Sequence, residues 1–276
     1  CFHLRPKGID YPLAECIKNK IGGYIRIRGQ SCILYIRNIK SVLNLINLIN
    51  GHMGTPKIEA LHSLIIWYNY RYGTKIPLLP IPLGLGQTPL QFNSWLSGIL
   101  DADCGFYFNW LINKKGFPIS LQYYLRLSQR KDYHRDSFVG KSYVFIMKNF
   151  AEFLSVPLRK IDRKRKAGYQ EQGFEVRSSN FIANYTILSY LIQYPLFSYK
   201  YSSIPVKIEL LRLSTQSSKL YRSAEGHEYL NYLKTAMYTY STSYLLRPGC
   251  ILKIIFIINF KFNNSLFDSS FNRIFL

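Results

Sequence analysis

The nine residues LSGILDADC, from Leu96 to Cys104, constrain the fold more than any other stretch of this sequence. Their large apolar side chains recur at helical spacing, at Leu96, Ile99 and Leu100. The same helix carries three small residues, Ser97, Gly98 and Ala102. A glycine inside a helix costs about 1 kcal/mol relative to alanine, and close approach of a second helix would offset that cost. The pattern predicts an amphipathic helix with a small face for a partner helix, ending at the acids Asp101 and Asp103.

The flanking residues indicate where this helix begins and which element comes after it. Thr88 suits the helix cap, Pro89 the first helical position, and Gln91 can close a capping box. Beyond the acids, apolar and polar residues alternate from 106 to 113, as in a strand with one buried side. The simplest interpretation is an amphipathic helix that leads directly into a strand, with two solvated aspartates at the junction.

The stretch also resembles the signature motif of the LAGLIDADG homing endonucleases, the group I intron nucleases and maturases, at eight of nine positions. The resemblance implies that Asp103, together with the main chain of Ala102, binds a divalent cation, Mg²⁺ or Mn²⁺. Cys104 replaces the final glycine of the motif. That glycine permits a tight helix-to-strand turn with positive φ, so we expect Gly105 to take this role one residue later.

The charge of the chain indicates a polyanionic partner. The 276 residues include 36 Lys and Arg against 15 Asp and Glu, a formal net charge of +21. Nucleic acid is the first candidate, because basic side chains displace counterions from phosphates, and an anionic membrane surface is the second. The 23 Tyr and 18 Phe, with many Ile, Asn and Lys, are typical of A+T-rich coding sequence. This bias predicts an organellar, mitochondrial gene and explains part of the lysine excess.

The sequence does not support a zinc site, a disulfide framework, a membrane-spanning segment or a signal peptide. The five cysteines are scattered, without the spacing of a zinc site or a disulfide framework. The longest apolar run, 254–260, is too short to span a membrane, so no membrane partner is expected. The sequence begins at Cys1 without a signal-peptide pattern, which we interpret as a fragment or the continuation of an upstream reading frame.

An internal repeat predicts the domain organisation. The order strand, strand, helix, proline and lysine occurs twice, ending at Lys57 and at Lys200. With the family resemblance, this predicts an α+β fold of two pseudo-symmetric αββαββα units with saddle-shaped antiparallel sheets, the first unit lacking its leading helix and hairpin. The predicted boundaries are 1–74 for the C-terminal part of the first repeat, 75–87 for a linker rich in proline and glycine, 88–244 for the second repeat, and 245–276 for an unassigned tail.

Polar and basic residues lie on one side of the predicted strands. They could be solvated, as in an ordinary half-buried hairpin, or form basic ribbons that lie in the major groove of DNA. On the second interpretation the nucleic-acid contacts are Tyr24, Arg26, Arg28, Tyr35, Arg37, Tyr107, Asn109, Gln122, Tyr124, Arg126, Arg130, Lys160, Arg163, Lys164, Arg165, Lys166 and Arg177.

The resemblance also implies a set of catalytic roles. Gln129, at a strand end, would lie near the catalytic water, and Lys57 and Lys200 would stabilise charge that develops in the transition state. Two abutting helices would each supply one acid to a shared metal, with Ser97, Gly98 and Ala102 at the interface between them. Only Asp103 belongs to such a motif here, so its counterpart would come from upstream residues or from a second chain.

The sequence leaves three hypotheses on function open. The first is a site-specific double-strand DNA endonuclease encoded in a group I intron, which binds a long intron-insertion site and acts as a monomeric pseudo-dimer if an upstream motif is present. The second is an RNA maturase that binds the group I intron RNA and assists its splicing. The third is a decayed reading frame without activity.

Overall fold

Two α+β units succeed each other along the chain, each with an antiparallel sheet. The computed structural model describes residues 2–4, 11–28, 31–73, 80–132, 142–164, 168–216 and 220–243. The first unit contains β1 (Phe2–Leu4), α1 (Tyr11–Ile21), β2 (Tyr24–Arg28), β3 (Ser31–Tyr35), α2 (Ile39–Ile49) and α3 (Ile58–Tyr72). The second contains α4 (Trp95–Asp103), β4 (Cys104–Ile112), β5 (Pro118–Arg130), α5 (Val144–Phe153), β6 (Arg159–Lys164), β7 (Gln170–Arg177), α6 (Phe181–Gln193), α7 (Ile204–Thr215) and α8 (Ala224–Ser243). No described helix combines the length and the apolar character needed to cross a membrane.

The second unit forms a sheet of order β4-β5-β7-β6. Alternate residues of its strands, such as Leu127 and Val176, pack with α4, α5 and α6 in the main core. The intervening residues lie on the other side of the sheet, which we call the open face. Strand register assigns to it Gly105, Tyr107 and Asn109 of β4, Gln122, Tyr124, Arg126, Ser128 and Arg130 of β5, Arg159, Ile161 and Arg163 of β6, and Glu171, Gly173, Glu175 and Arg177 of β7.

The first unit repeats part of this arrangement. Its sheet has the order β1-β3-β2, and α2 comes after β3 as α6 comes after β7. Asn38 and Asn180 each cap the helix that comes next, and their side chains accept from the main-chain N–H groups of Lys40 and Ala183. With β3 matched to β7 by these caps, the strand order places β1 where β5 lies in the second sheet. The prediction that the first hairpin is missing is therefore wrong for Phe2–Leu4, which supplies a third strand.

The ends of the motif helix differ from expectation. A 3-10 turn occupies Leu90–Phe92, and α4 begins at Trp95, whose N–H donates to Asn93 Oδ1 at 2.9 Å. The predicted cap at Thr88 is therefore wrong, because the extended backbone of Asn93 separates the turn from the helix. At the other end Cys104 is extended, with φ −79° and ψ 156°. The expected positive φ does not occur at Cys104 or at Gly105, since the chain passes directly from α4 into β4.

Side chains of the first unit hold the described part of the predicted linker. Asn50 of the α2 cap donates to Ile81 O at 2.8 Å and accepts from Leu83 N at 3.0 Å. Asn69 donates to Pro80 O at 2.9 Å, and His62 Nε2 lies 2.8 Å from Leu83 O. The linker is therefore bonded along α2 and α3.

Candidate active site and nucleic-acid face

Asp103 and Gln129 meet at the C-terminal end of α4. Gln129 Nε2 donates a hydrogen bond to Asp103 Oδ2 at 2.8 Å, and the Asp103 carboxylate is exposed. The two residues come together because β4 leaves the helix at Cys104 and pairs with β5, whose C-terminal end brings Gln129 back to the helix end. The bond fixes one carboxylate oxygen and leaves the other facing solvent.

The second motif acid has a different environment. Asp101 accepts bonds from the main-chain N–H groups of Phe197 and Ser198, at 2.6 and 3.2 Å, and from the Ser198 hydroxyl at 2.5 Å. In return, Lys200 Nζ donates to the carbonyl oxygens of Leu100 and Asp101, at 3.2 and 2.6 Å. The acid thus caps the segment after α6, and the lysine caps the end of α4. Sequence reasoning placed Lys200 near this helix end but did not anticipate this exchange.

Cys104 does not compete for a cation at this site. The side chain is buried, and burial raises the pKa of its thiol to about 12, so the sulfur stays protonated at neutral pH. The available donors beside it are oxygens, the Asp103 carboxylate and the main-chain carbonyl of the exposed Ala102. Within the described residues, no group of three or more His, Cys, Asp and Glu side chains could hold a metal. Mg²⁺ prefers oxygen and retains several waters, so a site with few protein ligands fits it.

One side of α4 is small and uncovered. Ser94, Gly98 and Ala102 recur at four-residue spacing and are all exposed, and a Cβ added to Gly98 would meet nothing within 4 Å. Ser97 is a correction to the predicted helix interface. Its N–H donates to Tyr190 Oη and its hydroxyl to Pro195 O, both at 3.0 Å, so it is buried against its own unit.

Most predicted nucleic-acid contacts of the second unit lie on its open face. Tyr107 and Tyr124 are paired across β4 and β5 and stack at a centroid distance of 4.6 Å, and the Arg177 guanidinium lies 5.1 Å from the Tyr124 ring centre. Lys160 and Lys164 are corrections, because strand alternation places them on the side of Phe174. Arg165 and Lys166 lie outside the described residues.

Two further residues of the open face, Arg159 and Glu175, were not predicted as contacts from the sequence. Glu175 is 4% exposed, and it is contacted by Arg126, Arg177 and Ser128. A usable signal was present, because Glu175 and Arg177 are two residues apart in a strand and therefore share a side. That pattern predicts an ion pair on the basic face.

The side of the first sheet that carries Tyr24 and Tyr35, which we call the open face of the first unit, contains a similar aromatic pair. Tyr24 and Tyr35 are cross-strand partners that stack at 5.3 Å, and the Arg37 guanidinium lies 5.7 and 5.4 Å from their ring centres. Arg26 and Arg28 lie on the same side of β2, and both are exposed. Lys57, at the N-cap of α3, is also exposed, and its catalytic role stays a prediction.

The curated proteins that this chain resembles are intron-encoded endonucleases. No protein-family model matches the sequence. The intron-encoded DNA endonuclease aI3 of Saccharomyces cerevisiae is 27% identical over 217 residues, which are 70% of this chain and 51% of that protein. The probable intron-encoded endonuclease aI2 of Debaryomyces hansenii is 35% identical over 97 residues, 34% of this chain and 13% of that protein. The chain thus spans about half, or less, of the length of the curated relatives it matches.

Solved structures of meganucleases share the fold. I-SmaMI bound to uncleaveable DNA matches with a TM-score of 0.58 at 15% identity, covering 86% of this chain and 87% of that one. I-AabMI bound to uncleaved DNA matches with a TM-score of 0.58 at 20% identity, covering 84% and 87%. I-GzeII in complex with its DNA target matches with a TM-score of 0.56 at 16% identity, covering 87% and 88%. In its signature motif, its fold and its intron-encoded relatives, this chain is similar to the LAGLIDADG homing endonucleases.

Proposed function

We propose that the chain is the DNA-cleaving part of an intron-encoded, site-specific double-strand endonuclease. The observation that carries this proposal is the exposed Asp103 carboxylate, which Gln129 orients at the end of α4 beside an uncovered small face. An acid fixed in this way, with one oxygen directed to solvent, suits metal-dependent hydrolysis of a phosphodiester.

The residues present fit Mg²⁺ or Mn²⁺. The Asp103 carboxylate and the Ala102 carbonyl would hold it, and a bound divalent cation supplies a polarised phosphate and an activated water. Gln129 keeps the carboxylate in one orientation. Lys200 and Asp101 fix the position of the helix end from the opposite side, through the bonds that join α4 to the segment after α6.

The Ser94, Gly98 and Ala102 face would receive a second motif-bearing helix, from another part of the protein or from a second copy. Small residues allow two helix backbones to approach closely, which would bring two carboxylates together at the helix ends. The metal charge would keep both acids ionised despite their mutual repulsion. The pseudo-dimer expected for this family is consistent with the same packing.

Double-stranded DNA at an intron-insertion site is the proposed substrate. Described basic residues of the open faces, among them Arg26, Arg28, Arg126 and Arg163, would neutralise phosphates or contact base edges. The solved neighbours I-SmaMI, I-AabMI and I-GzeII are complexes with DNA. We further propose that the gene is mitochondrial. The amino-acid composition is typical of A+T-rich coding sequence, and the relatives are intron-encoded proteins of yeasts.

A cleavage selection tests the proposal. The purified chain is incubated with Mg²⁺ and a library of duplexes with random inserts, and newly cut ends are captured and sequenced. We expect enrichment of one sequence family, loss of cutting in EDTA, and affinity that falls steeply with salt. Metal-independent cutting, or equal cutting of all sequences, would contradict the proposal.

The RNA maturase hypothesis is the alternative outcome of the same experiment. A maturase would cut no duplex in the library. It would bind group I intron RNA more tightly than duplex DNA and increase the splicing rate of that intron. The two results together would replace the endonuclease proposal.

A further inference from the structure

Glu175 is a buried carboxylate on a face that otherwise carries mainly basic and neutral side chains. It lies on β7, directly between β5 and β6, with Ser128 and Arg159 as its register partners. Its side chain is 5% exposed, although it faces the side of the sheet that is turned away from the helices. The motif chemistry at the end of α4 does not use this residue, so another role is required.

Arg126 and Arg177 both approach the Glu175 carboxylate with their Nε atoms. Arg177 Nε donates to Oε1 at 2.5 Å, and Arg126 Nε lies 3.9 Å from Oε2. Ser128 Oγ donates to Oε2 at 3.2 Å. The Arg177 and Arg126 side chains are 30% and 51% exposed, whereas the carboxylate between them is almost covered. Arg177 is therefore hydrogen-bonded to Glu175 through Nε, whereas Arg126 forms a longer ion pair with its Nε nearest the carboxylate.

We propose that Glu175 is a positioning residue that fixes Arg126 and Arg177 for bidentate contact with guanines in the major groove of duplex DNA; this inference rests on the proposed function. Arginine has five N–H donors in a rigid fork. The Arg177 Nε bond and the Nε-side ion pair of Arg126 both leave the terminal nitrogens to match guanine O6 and N7. Arginine paired with guanine in this way is the commonest specific contact in the major groove.

The aromatic pair supports the same orientation. The Arg177 guanidinium lies over Tyr124, which stacks on Tyr107, so the arginine is held between a carboxylate and a ring. A side chain ordered before binding loses less conformational entropy when it contacts a base. Two arginines around one carboxylate also leave a net positive charge, which suits a face that meets phosphates.

The first unit offers an internal contrast. The helix caps Asn38 and Asn180 align β3 with β7, and this alignment places Ile33 at the position of Glu175. Ile33 is buried and apolar, and Arg37 of that unit contacts two tyrosine rings. The carboxylate that orders the arginines is therefore a feature of the second unit among the described residues.

A carboxylate beneath the groove also has a predictable electrostatic effect. It repels phosphates, so it weakens binding to every sequence while it orders the arginines for a few. Glu175→Gln keeps the size and most hydrogen bonds and removes the charge. We expect tighter binding to bulk DNA and a loss of roughly tenfold in guanine preference at the two contacted base pairs.

The experiment is binding selection from a random duplex library without divalent metal, with sequencing of the bound duplexes. Arg126→Lys and Arg177→Lys should each relax one guanine position, and Glu175→Gln should relax both of the same positions. Lys148→Met changes an exposed lysine of α5, on the other side of the sheet; it is the control and should leave the preferred sequence unchanged. Glu175→Asp keeps the charge and should retain part of the preference, which covers the case in which Glu175→Gln does not fold.

The outcomes separate this inference from the proposed function. If the unmodified chain selects a sequence and Glu175→Gln selects it equally well, the positioning role is wrong and the DNA-binding function stands. Relaxation at positions other than those of Arg126 and Arg177 also overturns the positioning role. If the unmodified chain enriches no duplex at all, the proposed function fails, and the inference fails with it.

Discussion

The tripeptide Lys-Ile-Glu occurs at the start of α3 and again in α7, and the two copies lie in opposite surroundings. Lys57 of the first copy is exposed at the N-cap of α3. Lys207 of the second is 2% exposed, and its Nζ donates to the carbonyl oxygens of Tyr107 and Tyr124 at 2.7 and 3.1 Å. The same three residues therefore give a solvated cation in one unit and a buried one in the other.

The difference arises from the sheet above each helix. In the second unit the β4–β5 hairpin lies over α7, and its carbonyl oxygens accept bonds from Lys207 while the rings of Phe106 and Tyr123 lie 5.5 and 5.6 Å from the ammonium. The described part of the first unit has β1, β2 and β3 but no counterpart of β4. A lysine becomes buried only where carbonyl groups can replace its water.

The comparison also shows that Lys57 of the first unit has two possible counterparts in the second. The order of elements aligns Lys57 with Lys200, whereas the tripeptide aligns it with Lys207. In the second unit Lys200 caps the motif helix and Lys207 supports the hairpin, so two residues perform separate tasks. Substitutions in both units test how far they differ in this respect.

The largest expected effect is on the motif-bearing unit. Asp103→Asn removes one charge at nearly constant shape. It should lower Mg²⁺-dependent cleavage by about 10³-fold or more, because the carboxylate proposed to hold the metal would contribute several kcal/mol. Binding to duplex DNA should stay equal or become tighter. Cleavage rates and filter binding measure both. Asp162→Asn, an exposed carboxylate on β6, is the control and should cleave like the unmodified chain. Undiminished cutting by Asp103→Asn would reject the metal-site assignment.

The second-largest expected effect is the pH dependence that the buried Lys207 gives to the free energy of unfolding. Burial lowers the pKa of Lys207 to about 7, below the ordinary 10.5, so between these values the unfolded chain binds more protons than the folded one. The free energy of unfolding should therefore rise with pH, by up to about 1.4 kcal/mol per unit from pH 7 to 9. Above pH 9 the raised thiol pKa of Cys104 acts in the opposite direction.

Urea unfolding at several pH values measures this slope. Lys207→Met fills the same space without a charge and should abolish the rise, whereas Lys57→Met, its exposed counterpart, should keep it. An unchanged slope in Lys207→Met would show that other groups cause the pH dependence and that the two lysines are more alike than their burial indicates.

A smaller effect should distinguish Lys200 from Lys57. Lys200→Met removes two hydrogen bonds to the last carbonyl groups of α4 and should lower the free energy of unfolding by about 1–2 kcal/mol. Lys57→Met changes an exposed side chain and should remain within about 0.5 kcal/mol. Equal losses in thermal or urea unfolding would contradict the separate roles given to the two residues.

The smallest expected effect is on the first unit. Asn50→Ala removes the bonds to Ile81 and Leu83 and should lower stability by about 1 kcal/mol, since both bonds are exposed. Limited proteolysis should then cut between residues 80 and 86 more rapidly. His52→Ala is a nearby exposed control and should not change the cutting rate. Equal rates for Asn50→Ala and the unmodified chain would show that the linker is held by other contacts.

The sequence predicted the elements whose signals are local. Local signals account for the helix Ile39–Ile49 and the strand Tyr24–Arg28, because apolar residues recur at the spacing of each element and Gly22 and Gly23 come directly before the strand. The proximity of Gln129 to the motif acid was implied by the family resemblance. The contacts of Glu175 and Lys207 were not predicted, since they depend on which strands lie side by side.

Predictions from the sequence were wrong where the same residue suits two different local structures. Thr88 and Pro89 satisfy the rules for a helix start, yet a 3-10 turn and the extended Asn93 intervene before α4. Ser97 is small, but its hydroxyl makes it suitable for a buried bond to Pro195 O in its own unit. Charge alone assigned Lys160 and Lys164 to the DNA face, whereas strand alternation places them on the other side.

The bonded linker sets the length of the tether between the two units. Gly86 N donates to Met53 O at 3.0 Å, so the first unit holds the chain up to that residue, and the 3-10 turn of the second begins at Leu90. Three residues, at most about 10 Å when extended, then separate the bonded end of the first unit from the start of the second. If both sheets bind DNA as proposed, such a short tether would give each sheet a high effective concentration near the DNA segment held by the other. Once one half of a site is bound, contact with the other half becomes an intramolecular step, and weak half-site affinities can combine into a long residence on the full site.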